Sequence, residues 1–68
     1  MPIKVLVNGA ASELAIRIAC LILVNKQSSL FEKLGFEFRT EVETVISFLK
    51  SLPQELGLAL AWGELLKC

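Results

Sequence analysis

The chain is short, apolar and electrically balanced: of 68 residues 54% are hydrophobic, and seven basic residues offset seven glutamates. The length fits one domain, residues 1–68, and the zero net charge excludes a general attraction to nucleic acid or to an anionic membrane. Histidine, aspartate and tyrosine are absent, which excludes the usual histidine-activated nucleophiles.

The first predicted element is a β-strand over residues 3–7. This segment reads Ile-Lys-Val-Leu-Val, and short runs rich in β-branched residues favour strands. The polar break around Asn8 and Gly9 follows it. Asn8 or Ser12 can cap the next helix, because a short polar side chain accepts a hydrogen bond from a free backbone N–H.

Residues 11–26 are predicted to form a helix, although the pattern is ambiguous. Ten of the eleven residues from 14 to 24 are apolar, so periodicity barely distinguishes helix from strand. The length, the alanines and Glu13 in the first turn favour a helix. The run is interrupted by Arg17 and is shorter than the roughly 20 apolar residues of a membrane-spanning helix, so no membrane segment is predicted.

The middle of the chain is predicted to hold a short strand and a helix. Residues 36–39 (Phe-Glu-Phe-Arg) alternate apolar and charged side chains, which indicates a half-buried strand. Helix 41–52 follows, because Thr40 and Glu43 have the spacing of a capping box. The apolar residues of this helix form one stripe: Val42, Val45, Ile46, Leu49 and Leu52.

Residues 54–67 are predicted to form the last helix. Gly57 and Ala61 lie one turn apart and leave room for another helix to approach closely. Large apolar side chains fall on more than one side of the helix, whereas a single core uses one side. Surplus apolar surface is therefore expected, with Trp62 as its anchor because tryptophan is enriched at binding hot spots. The predicted interface residues are Leu56, Leu58, Leu60, Trp62 and Leu65.

The turn after the first predicted strand carries a local resemblance. Residues 4–15 resemble the opening of short-chain dehydrogenases, which has a strand, a Thr-Gly-x-x-x-Gly-x-Gly turn and a helix. Gly9 matches the first glycine, and Glu13 and Ala15 occupy the other two glycine positions. The resemblance implies a nucleotide-cofactor site at this turn. A carboxylate at Glu13 opposes pyrophosphate binding, and the family's catalytic tyrosine has no counterpart, so an ordinary turn is favoured and no cofactor is predicted.

No catalytic residue and no metal site are predicted. The two cysteines, Cys20 and Cys68, are too far apart in sequence for a typical zinc-ligand pair and too few for a disulfide framework. Reduced thiols in a cytoplasmic protein are expected, with a redox role or an intermolecular disulfide at Cys68 as the alternative.

A small basic and aromatic patch is also conceivable, and its members are Lys33, Phe36, Phe38 and Arg39.

These elements predict a small α+β domain with three helices and two short strands, with an all-α helical bundle as the alternative. Because a two-stranded sheet is marginal alone, a homodimer is expected. The predicted function is a non-enzymatic protein–protein interaction module, a homo-oligomer that uses Leu58, Trp62 and Leu65 and that can also bind another protein. The alternative is a nucleic-acid-binding regulator that uses the basic and aromatic patch. A nucleotide-cofactor-binding fragment at Gly9 is the third and least favoured hypothesis.

Overall fold

The computed structural model describes residues 3–67, and every regular element in that range is a helix. The helices are α1 (Ile3–Leu6), α2 (Glu13–Asn25), α3 (Ser29–Glu32), α4 (Phe36–Ser51) and α5 (Gln54–Leu66). The predicted α+β fold, with three helices and two strands, is therefore wrong for the described residues. The alternative, an all-α bundle, fits them.

The predicted strand at residues 3–7 is a helical turn. The Val7 N–H donates to the Ile3 carbonyl at 2.9 Å, which is the i to i−4 bond of an α-helix. Ile3 and Val7 are both buried, whereas Val5 between them is 63% exposed. Burial therefore repeats every four residues, while a strand would place all three on one face. The β-branched composition was misleading because β propensity depends on packing against neighbouring strands, and residues 3–67 contain none.

Helix α2 begins at one of the two predicted capping residues. The Ser12 hydroxyl accepts a hydrogen bond from the Ala15 N–H at 3.2 Å, and Glu13 occupies the first turn. At the other end, Lys26 caps the helix with a left-handed φ of 54°. The prediction that this ambiguous apolar run forms a helix is confirmed.

The second predicted strand, residues 36–39, is the first turn of α4. Phe36 is 83% exposed, whereas Phe38 packs against the core, and a strand would place both rings on one face. The helix is capped by Gly35. Thr40, the expected cap, lies inside the helix and its hydroxyl donates to the Phe36 carbonyl at 3.0 Å. The predicted apolar stripe does face the core, with Val42, Val45 and Leu49 buried and Ile46 and Leu52 packed against them.

The core lies among three helices, because α2 contacts α4 and α5, and these two contact each other. Small side chains permit the close packing: Ala15 and Ala19 of α2 and Ala61 of α5 have no exposed surface. The short α1 contacts α2 and contributes Ile3 to the core. Since the buried residues of α5 are Gly57 and Ala61, the large side chains of this helix lie on its flanks or point outward.

Candidate interaction surface

Helix α5 presents an apolar face to solvent. Leu56 and Trp62 are 48% and 49% exposed, and Leu66 is 77% exposed. With 3.6 residues per turn, these three side chains fall within about 120° of one another around the helix. Exposed Ala59 and Gly63 lie between them. The outer face of α5 is defined here as Glu55, Leu56, Ala59, Trp62, Gly63 and Leu66.

The predicted interface residues divide into three groups in the structure. Leu56 and Trp62 are exposed on the outer face. Leu58 is half-buried and lines a groove beside that face. Leu60 and Leu65 pack against the core, so they lie on the inner flanks of α5.

Leu66 is the most exposed large apolar side chain of α5, and it is not among the interface residues predicted from the sequence. A helical wheel carries the signal, because position 66 falls between positions 62 and 56 in angle. A helical wheel does not show which side of the helix faces the core. The buried side of α5 is marked by Gly57 and Ala61, and large residues alone do not reveal a buried side made of small ones.

Two apolar grooves lie beside α5 and α3. The α5 groove has a volume of about 530 Å³, and the α3 groove has a volume of about 650 Å³. The residues that line both are Leu23, Lys26 and Lys50. The α5 groove adds Val24, Leu52, Leu58 and Trp62 among others. The α3 groove adds Ile22, Ser28, Phe31, Glu32 and Ile46. Because they share three residues, the grooves adjoin each other.

The shared lysines lie at two helix ends. Lys26 is the C-cap of α2, and Lys50 lies in the last turn of α4. A positive charge is favourable there because helix carbonyls carry partial negative charge at the C-terminus. Neither lysine forms an ion pair with another residue of 3–67, where the pairs are Lys4–Glu13 at 3.9 Å and Lys67–Glu64 at 3.2 Å. Within the described part of the chain, both ammonium groups therefore lack an acidic partner.

The acidic and thiol side chains of residues 3–67 decide whether this part of the chain holds a metal site or a reactive thiol. No group of three or more His, Cys, Asp or Glu side chains within 3–67 is arranged to hold a metal ion. Burial, with a smaller contribution from the negative charge of Glu64, raises the pKa of the Cys20 thiol to about 11. The thiol therefore stays protonated near neutral pH, and the thiolate is the reactive form. Cys68, the candidate for a redox role, lies outside the described residues.

The Gly9 turn departs from the arrangement that the dehydrogenase resemblance implies. A helical turn precedes it instead of a strand, and Gly9 itself has a φ of 74°. The start of α2 already has an anionic partner, because the Ser12 N–H donates to the Glu41 carboxylate at 2.7 Å.

The basic and aromatic residues near α3 do not form a shared stacking surface. Phe36 is exposed, while Phe38 packs against the core. The Arg39 guanidinium donates to the Leu34 carbonyl at 3.2 Å and lies 5.5 Å from the centroid of the Phe31 ring. Arg39 thus joins α3 to α4.

Comparison with known proteins finds no counterpart for this chain. No protein-family model matches it, and neither the curated proteins nor the solved structures yield a match. Within residues 3–67, every helix is too short or too polar to cross a membrane.

Proposed function

We propose that this protein is a non-enzymatic interaction module that self-associates through the outer face of α5. The observation that carries the proposal is the clustering of Leu56, Trp62 and Leu66, all exposed, on one side of a single helix. Contiguous apolar surface that is exposed on a small protein marks a contact site. The buried free thiol of Cys20 fits a reducing compartment, and the proposal places the module in the cytoplasm.

A second copy of the chain is the occupant that this face suits. Only one of its six residues, Glu55, is charged, so two copies can meet without burying many charges. Ala59 and Gly63 are small and adjacent on the face, which allows two helix backbones to approach closely. The zero net charge also leaves little long-range repulsion between copies.

The size of the face determines what strength of association is expected. Helix α5 has 13 residues, which corresponds to a length of about 20 Å. One face of such a helix is smaller than the roughly 800 Å² per partner of a standard stable interface. We therefore expect a reversible dimer whose population rises with concentration.

Light-scattering mass after size exclusion, with reductant and over roughly a hundredfold concentration range, tests this proposal. The mass should rise from 7.5 kDa toward twice that value. The double variant Leu56→Gln, Leu66→Lys should remain a folded monomer, because both side chains are largely outside the core.

Phe36→Gln is the matched control, since Phe36 is 83% exposed but lies on α4. This variant should dimerise like the wild type. A wild-type chain that stays at monomer mass throughout, or a Leu56/Leu66 variant that dimerises as well as the control, would overturn the proposal.

A further inference from the structure

The two grooves form a surface with a chemical character of its own. Apolar side chains line both, and the two shared lysines, Lys26 and Lys50, stand where the grooves adjoin. Among the described residues, no acidic side chain lines the α5 groove. The α3 groove contains one, Glu32. The surface therefore has an apolar groove on each side of a positively charged pair of lysines.

We propose that this pair of grooves binds an amphipathic helix of another protein that carries glutamate or aspartate beside its apolar face. Its apolar side chains occupy the two grooves, and its carboxylates meet Lys26 and Lys50. This inference goes beyond self-association, because the grooves and the outer face of α5 have only Trp62 in common.

The positive charge of Lys26 and Lys50 indicates that the partner carries negatively charged side chains at this position. The two lysines have no carboxylate partner within residues 3–67, so an incoming carboxylate does not have to displace an existing ion pair. Opposite charges at the rim of an interface steer association and set its orientation. Glu32 repels an acidic group in the α3 groove, which leaves the shared lysines as the favourable position for the acids of the partner.

The arrangement of two grooves favours a helix over a single anionic amphiphile. A fatty-acid chain has one tail and would fill one groove, whereas a helix presents successive apolar side chains at positions i, i+3, i+4 and i+7 along one face. Positions i and i+7 are about 10 Å apart along the helix, so one helix face can place apolar side chains in both grooves. The acids then lie beside the apolar stripe at intermediate positions.

The single tryptophan of the chain supplies a direct measurement. Trp62 lines the α5 groove and is 49% exposed, so its fluorescence should shift to shorter wavelength when an apolar side chain covers it. The titration uses the folded Leu56→Gln, Leu66→Lys chain, so that self-association does not contribute to the signal. The probe is a synthetic helical peptide of about 18 residues with a leucine stripe flanked by glutamates, and the comparison peptide carries lysines in place of the glutamates.

We expect the acidic peptide to bind at least tenfold more tightly than the basic one, and to weaken with added salt. The double variant Lys26→Glu, Lys50→Glu should reverse this preference, because its charges are inverted while the apolar lining is kept. Lys33→Glu with Lys67→Glu is the control with the same net charge change, and it should keep the preference for the acidic peptide.

Three outcomes would overturn the proposal. One is equal affinity for both peptides, which would show apolar contact without charge recognition. Another is a preference that the control charge reversal abolishes as strongly as the Lys26/Lys50 reversal. The third is saturable binding of dodecanoate with no binding of the acidic peptide, which would identify an amphiphile site. All three can be read whether or not the wild-type chain dimerises, so failure here is distinguishable from failure of the self-association proposal.

Discussion

A β-carbon at position 57 would lie 2.7 Å from the backbone carbonyl oxygen of Leu49. Gly57 is buried in α5, and Leu49 is a core residue in the last turns of α4. The absence of a side chain at Gly57 therefore allows α5 to approach the backbone of α4. Gly57 and Ala61 form the close-approach face predicted from the sequence, and α4 of the same chain occupies this face near Gly57.

Replacement of Gly57 with alanine should destabilise the protein. Alanine favours a helix by about 1 kcal/mol over glycine, but the added carbon must push α5 away from a backbone atom that cannot rotate aside. Overpacking of this kind costs about 1–3 kcal/mol, so we expect a net loss of up to about 2 kcal/mol in the free energy of unfolding. Urea unfolding at low protein concentration measures it.

Gly63→Ala is the matched control in the same helix. A β-carbon there would meet nothing within 4 Å among the described residues outside its own helix, so the helix preference should act alone. We expect Gly63→Ala to stabilise the protein by up to about 1 kcal/mol. Two alanine variants of equal stability would show that the close approach to Leu49 has no energetic consequence.

Glu41 should contribute to stability by capping a different helix. Its carboxylate accepts the Ser12 N–H at 2.7 Å across 29 residues of sequence, at the positive end of α2. Glu41→Ala should therefore lower the free energy of unfolding by about 1 kcal/mol. Glu41→Gln should lower it less, because an amide oxygen still accepts the bond without the charge. Thermal and urea unfolding provide the measurement.

Glu43→Ala is the control, since Glu43 is exposed on the same helix. Its effect should stay within about 0.5 kcal/mol. If Thr40 and Glu43 formed the predicted capping box, the Glu43 carboxylate would accept a hydrogen bond from a free backbone N–H. Glu43→Ala would then lower the free energy of unfolding more than Glu41→Ala does. A larger loss at Glu43 than at Glu41 would contradict the long-range cap.

Cys20 should make the stability fall at alkaline pH. Burial raises the pKa of its thiol from 9.0 to about 11, so between these values the unfolded chain loses a proton that the native state keeps. Stability is then lost as the pH rises from about 9 toward 11, and below pH 9 both states are protonated and the effect vanishes. Denaturant unfolding at several pH values in this window, with reductant, measures the slope.

Cys20→Ala isolates the contribution of this thiol. The variant should be less stable than the wild type at pH 8, because removing a buried sulfur leaves a small cavity. The difference between the two should shrink as the pH rises, since only the wild type has a thiol that ionises on unfolding in this range and therefore only the wild type loses stability. Parallel pH profiles for both proteins would mean that Cys20 does not titrate differently in the two states.

The candidate surface was predictable in part. Two apolar sides on one helix indicated surplus surface, and Leu56 and Trp62 are indeed exposed. Leu60 and Leu65, which were also predicted for the interface, are half-buried and pack against the core. The grooves were not predictable, since Lys26 and Lys50 are 24 positions apart and meet only through the packing of α2 against α4.

Local sequence determined where the long helices lie. Ser12 caps α2, and the stripe that includes Val42, Val45 and Leu49 faces the core, because capping and helical periodicity depend on residues within a few positions of each other. Tertiary packing decided the rest. It made helical turns of residues 3–7 and 36–39, because a short β-branched or alternating segment forms a strand only when a partner strand satisfies its backbone. Tertiary packing also decided which apolar side chains of α5 remain exposed to solvent. Their exposure depends on where α2 and α4 lie, and on the small residues of α5 that allow these helices to approach it.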